Sequence, residues 1–128
     1  MKILIAEDDY ASRSAIANYL KQYGQCDITV DGEEAIEAYM MALDAGEHYD
    51  LICLDAQMPF RSGFEVAEAI RAVERERDVP DSIKAKIIMT TALSYEVKKL
   101  VGEDLYYCAK PFNFESLKEV MKYAGLIV

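Results

Sequence analysis

Two apolar runs in this chain end in acids. Lys2-Ile3-Leu4-Ile5-Ala6 leads into Glu7-Asp8-Asp9, and Leu51-Ile52-Cys53-Leu54 leads into Asp55, followed by Ala56-Gln57-Met58-Pro59. Carboxylates gathered on one rim repel each other, and a divalent cation relieves that repulsion. Hard oxygen ligands with room for water suit Mg²⁺, which uses one or two carboxylates and keeps several waters. The alternative for Glu7, Asp8 and Asp9 is a helix cap that favours the helix dipole. Two further groups could join the acids. Thr90 and Thr91 end the run Ile87-Ile88-Met89, where a hydroxyl can donate to a phosphoryl oxygen. Lys110 ends the run Leu105–Ala109, where an amine would offset the acids and attract phosphate.

These groups converge only if the runs are strands of one parallel sheet. Strands are expected at Lys2–Ala6, Cys26–Val30, Asp50–Leu54, Lys86–Thr90 and Leu105–Ala109. Helical spacing separates them: Ile16, Tyr19, Leu20 and Tyr23; Ile36, Tyr39, Met40 and Leu43; Val66, Ile70 and Val73; Leu117, Val120, Met121 and Ala124. A fourth, weaker helix has only Val97, Leu100 and Val101 on its apolar face. Asp31 with Glu34 forms a capping-box pattern, Asn113 is a cap for the last helix and Gly125 its stop. The charged stretch from Glu74 to Lys86, with Pro80 inside it, is expected to be a frayed helix end and a long solvated loop. Strand–helix alternation predicts an α/β fold: a single flavodoxin-like, doubly wound parallel five-stranded sheet of order 2-1-3-4-5, with five helices, the fourth short or irregular. Strands one and three are then neighbours, and Asp8 and Asp55 lie side by side at the carboxyl edge.

Composition narrows the class. The 128 residues suffice for one domain, and 52% hydrophobic with 29% charged residues is ordinary for a globular protein. A net charge of −9 without a basic stripe argues against direct nucleic-acid binding and against an anionic membrane surface. No apolar run is long enough to insert in a membrane, and no leader precedes the first strand, so a cytoplasmic protein is expected. Cys26, Cys53 and Cys108 fit no zinc or redox spacing and are expected to be buried thiols. The lone histidine, His48, makes a zinc or Ser-His site improbable.

Five pieces in order carry a resemblance: Ile3 to Asp9, Asp50 to Pro59, Ser62-Gly63-Phe64-Glu65, Met89-Thr90-Thr91-Ala92 and Lys110-Pro111-Phe112. Together they resemble the response regulator receiver domain of two-component signalling, over residues 1–128 and with no output domain in this chain. The resemblance implies that Asp55 is the phosphoacceptor. It implies Mg²⁺, with Mn²⁺ as a substitute, held by Asp8 and Asp55, by the backbone carbonyl of Gln57 and by Glu7 through water. Thr91, which directly precedes Ala92, is the implied switch hydroxyl, and Lys110 pairs with the phosphoryl group. Tyr107 is the implied aromatic switch, with Tyr106 the second choice. The implied partners are a sensor histidine kinase or phosphotransfer protein and an unknown downstream protein, which reads the surface of the fourth helix, fifth strand and fifth helix. The implied role is that of a phosphoacceptor with self-dephosphorylation, not an enzyme. The stretch from Thr91 to Lys110 is about a helical turn shorter than the family's, and that from Asp55 to Thr91 is longer.

Three other functions are weighed against it. A Mg²⁺-dependent phosphohydrolase with Asp55 as nucleophile often needs a second acid two residues on, where Gln57 stands. A flavin carrier would meet repulsion between Glu7-Asp8-Asp9 and its phosphate. A receiver-like interaction module independent of phosphorylation would not need the set of acid, hydroxyl and lysine positions.

Overall fold

The computed structural model describes residues 1–91, 105–109 and 113–128. Among these, five strands form one parallel sheet: β1 (Lys2–Ala6), β2 (Gln25–Thr29), β3 (Leu51–Asp55), β4 (Lys86–Thr91) and β5 (Leu105–Ala109), in the order β2-β1-β3-β4-β5. Four α-helices accompany them: α1 (Tyr10–Leu20), α2 (Gly32–Asp44), α3 (Gly63–Glu76) and α4 (Phe114–Tyr123), with a short 3₁₀ turn at Asp81–Ile83. The helix expected around Val97, Leu100 and Val101 falls outside the described residues.

Alternation along the central strands divides the core into two layers. Leu4, Ile52, Leu54, Ile87 and Met89 face one side and pack with Ala35, Tyr39, Val66 and Ile70 of α2 and α3. Ile3, Ile5, Leu51, Cys53 and Ile88 face the other and pack with Ile16, Leu20, Leu117 and Met121 of α1 and α4. Burial on both faces is why β1, β3 and β4 read as unbroken apolar runs. Strand β2 is an edge strand. Its Ile28 is half exposed and Cys26 only half-buried, so the expectation of three buried thiols holds for Cys53 and Cys108 alone. The strand ends also differ by a residue from those read off the pattern in β2, β3 and β4.

Helix ends follow the expected chemistry. Asp31 accepts from the Glu34 amide at 2.9 Å, while the Glu34 carboxylate reaches back to the Val30 amide at 3.1 Å. Asn113 caps α4 through the Glu115 amide at 2.9 Å. Gly125, at φ +78°, ends that helix, with its amide on the Lys122 carbonyl and the Leu126 amide on the Met121 carbonyl.

The stretch from Glu74 onward departs from expectation. Glu74 is still helical and only 1% exposed. Its carboxylate accepts from the Tyr39 hydroxyl at 2.7 Å, the Ala85 amide at 3.0 Å and the Arg71 guanidinium at 2.7 Å. Arg71 also donates to the Ala85 carbonyl at 2.8 Å. One buried acid thus ties α2, α3 and the start of β4, the end of the sheet away from the acid-bearing strand ends. The Tyr39 phenol is pushed upward, first by burial and then by its hydrogen bond to Glu74.

Candidate functional site

Register places the acids. Ala6 lies beside Leu54, so Glu7 leaves β1 next to the strand end that carries Asp55, and Asp55 pairs with Thr90 of β4. Oxygen atoms of Glu7, Asp8 and Asp55 lie within 4.8 Å of one another. Glu7 and Asp55 are 1% and 4% exposed, while Asp8 opens to solvent. Backbone donors hold the buried pair: the Asp9 amide donates to Glu7 at 3.2 Å and the Gln57 amide to Asp55 at 3.0 Å. Three carboxylates this close repel one another, less so at the solvent-exposed Asp8 than between the buried pair. The donor set is all oxygen, with one open side, and fits Mg²⁺.

Asp9 stands apart from this group. It caps α1, accepting from the Ser12 amide at 2.8 Å. The cap and the acid cluster therefore coexist, on adjacent residues. Behind Asp55, the loop of residues 56–62 closes where the Gly63 amide donates to the Ala56 carbonyl at 2.9 Å. A Cβ at Gly63 would run into the Asp55 carbonyl oxygen, so only glycine lets α3 begin this close to the acid.

Thr90 and Thr91 are both buried, but they are used differently. The Thr90 hydroxyl donates to the Leu54 carbonyl at 3.3 Å and so serves the sheet. Thr91 is the last residue of β4, opposite Ala109, and points to the face of Met89 rather than that of Ile88. Tyr107 packs on that same face, and its hydroxyl is buried with no partner among the described residues. Burial raises the Tyr107 phenol above its usual value. Tyr106 packs on the opposite face, edge-on to Tyr123 at 6.0 Å. Lys110 lies outside the described residues, as do Ala92, Pro111 and Phe112. The Gln57 side chain is exposed.

Sequence reading passed over Phe60. It is 93% exposed, at φ +69°, at the tip of the loop behind Asp55. Its neighbours carry no glycine or asparagine that would have announced a left-handed residue.

The response regulator receiver domain family model matches residues 3–122. The chain belongs to that family. A hybrid signal transduction histidine kinase of Dictyostelium discoideum is 29% identical over 97% of this chain, which spans 7% of that kinase. A probable transcriptional regulator of Cyanophora paradoxa is 32% identical over 91% of this chain and 45% of its own length. The chain thus spans less than half the length of these curated relatives. Among solved structures, the response regulator TrrA of Thermotoga maritima, in complex with Mg²⁺-BeF, is 33% identical with a TM-score of 0.72, covering 96% of this chain and 97% of TrrA. The fold is therefore the flavodoxin-like receiver fold of two-component phosphorelays, a class of signalling modules and not of ordinary enzymes. Among the described residues, no helix is long and apolar enough to cross a membrane.

Proposed function

We propose that the chain is a phosphoacceptor: Asp55 takes a phosphoryl group from a phosphohistidine on a histidine kinase or phosphotransfer protein. The observation that carries this reading is the meeting of Glu7, Asp8 and Asp55 oxygens within 4.8 Å at the carboxyl edge of β1 and β3. A carboxylate oxygen of Asp55 forms the new bond to phosphorus. The bond from phosphorus to the imidazole nitrogen breaks, and its electron pair returns to the ring. Asp8 and Asp55, the Gln57 carbonyl and, through water, Glu7 would hold Mg²⁺, which neutralises charge on the transferred oxygens. The Gln57 amide fixes one Asp55 oxygen and so orients the carboxylate.

The response to phosphorylation rests on β4 and β5. Thr91 is drawn toward the phosphoryl oxygens, and Lys110 pairs with them. Tyr107 shares the sheet face of Thr91, two residues along β5 from the position opposite it, so a shift of one changes the room of the other. A buried hydroxyl without a partner costs about 1–3 kcal/mol, and that of Tyr107 has none among the described residues, which favours a second packing for this ring. The downstream protein reads the resulting surface, and the acyl phosphate is then lost by self-dephosphorylation.

Incubation with acetyl phosphate and Mg²⁺, followed by intact mass, tests the reading. One phosphoryl adduct is expected, absent with a chelator and absent in Asp55→Asn. An unmodified wild type would overturn it.

A further inference from the structure

The loop behind Asp55 holds a residue that folding alone does not explain. Phe60 is 93% exposed, the largest exposure of any aromatic side chain among the described residues. Its backbone lies at φ +69°, and the Arg61 amide donates back to the Pro59 carbonyl at 2.7 Å across it. That is a three-residue γ-turn of the rare, strained hand. A bulky side chain in the left-handed region costs about 1–2 kcal/mol, and an aromatic ring in water returns none of it through burial. Gly or Asn at this position would remove the strain.

The loop around Phe60 is tied at two points. At one end the Gly63 amide closes on the Ala56 carbonyl at 2.9 Å. At the other, the Arg61 guanidinium pairs with Glu33 at 2.5 Å, at the start of α2. The ring is thus displayed at most five residues, or roughly 18 Å of chain, from Asp55. A second exposed aromatic, Tyr10, 72% exposed with Arg13 over its ring, opens α1 two residues after Asp8. Because β1 and β3 are neighbours, both aromatics follow strand ends at the same carboxyl edge.

We infer that Phe60 is a specificity-determining contact for a phosphohistidine-bearing protein, an aromatic anchor buried only when that protein sits over Asp55. The inference rests on the phosphoacceptor reading above. A protein donor must lay its surface over this edge to bring an imidazole to Asp55, so it covers the tip of the loop. A small acyl phosphate reaches the same carboxylate without touching Phe60. Rigid, exposed aromatics bring large contact area at low entropic cost and dominate interface energies.

The test compares two donors on wild type, Phe60→Gly and Phe60→Tyr. Acetyl phosphate with Mg²⁺ is one donor. The other is whichever member of a panel of autophosphorylated histidine kinases phosphorylates the wild type fastest. Phe60→Gly is expected to react with acetyl phosphate within twofold of wild type and to accept phosphoryl from the kinase about tenfold more slowly. Phe60→Tyr is expected to restore most of the kinase rate. Equal loss with both donors, no loss with the kinase, or no kinase in the panel reacting while acetyl phosphate does, would each overturn the inference. A wild type that acetyl phosphate leaves unmodified would instead overturn the phosphoacceptor reading.

Discussion

Two buried acid sites stand at opposite ends of the sheet, and they are built in opposite ways. At the amino end of β4, Glu74 meets a phenol, a backbone amide and a guanidinium. At the carboxyl edge, Glu7 and Asp55 meet each other and Asp8. Both sites take carboxylates out of water. The first surrounds the charge with donors and so holds three elements together. The second brings three carboxylates together, with the Asp9 and Gln57 amides donating to the two buried ones, and its acids face one another as well as their donors. A buried acid among donors marks architecture, and buried acids facing one another mark chemistry.

The sharpest break of that contrast is Glu74→Ala. It leaves Tyr39, Arg71 and the Ala85 amide without their acceptor, and urea unfolding should show a loss of about 3–5 kcal/mol. Phosphorylation by acetyl phosphate should persist wherever the variant is folded. A loss under about 1 kcal/mol would mean the network is decorative. Tyr39→Phe removes one donor from the same site and should cost about 1–2 kcal/mol. It also carries a pH signature. The Tyr39 phenol is raised in the folded chain from its ordinary value of 10.0, chiefly by burial and then by Glu74. Its contribution is complete below about pH 10 and is lost as pH rises toward the folded value. Tyr49, raised by burial and by Asp27, adds to the same fall. Alkaline unfolding curves should therefore be shallower for Tyr39→Phe, and identical slopes would contradict the assignment.

The smallest effect has the opposite sign. Asp8→Asn removes one charge from the crowded site, and the metal-free protein should gain about 1 kcal/mol. Mg²⁺ is expected to stabilise the wild type, and the same variant to forfeit most of that gain. If Asp8→Asn destabilised the metal-free chain, the acids would not be repelling one another as described.

The crowded site was far more legible in the sequence than the satisfied one. Acids directly after the fully buried runs Ile3–Ala6 and Leu51–Leu54 have one place to go in a parallel sheet. Glu74 sits among Glu68, Arg71, Arg75, Glu76 and Arg77, where charge predicts solvent. Its burial depends on Tyr39 and Ala85, 35 and 11 residues away, which no local pattern reveals. The pattern puts strand β2 one residue late, since an edge strand has one half-wet face and a weaker alternation. Tyr106 and Tyr107 are equivalent as letters, and only the alternation of β5 assigns them to different faces. The turn at Phe60 was invisible because the residue breaks the usual rule for a left-handed position.

The central claim is that Asp55 is the phosphoryl acceptor of the acid cluster. Borohydride reduction of the acetyl phosphate adduct, followed by peptide mapping, addresses it residue by residue, since an acyl phosphate on aspartate is reduced to homoserine. The account predicts homoserine at position 55 alone. Homoserine at position 8, or an adduct on any residue outside the cluster, would contradict it.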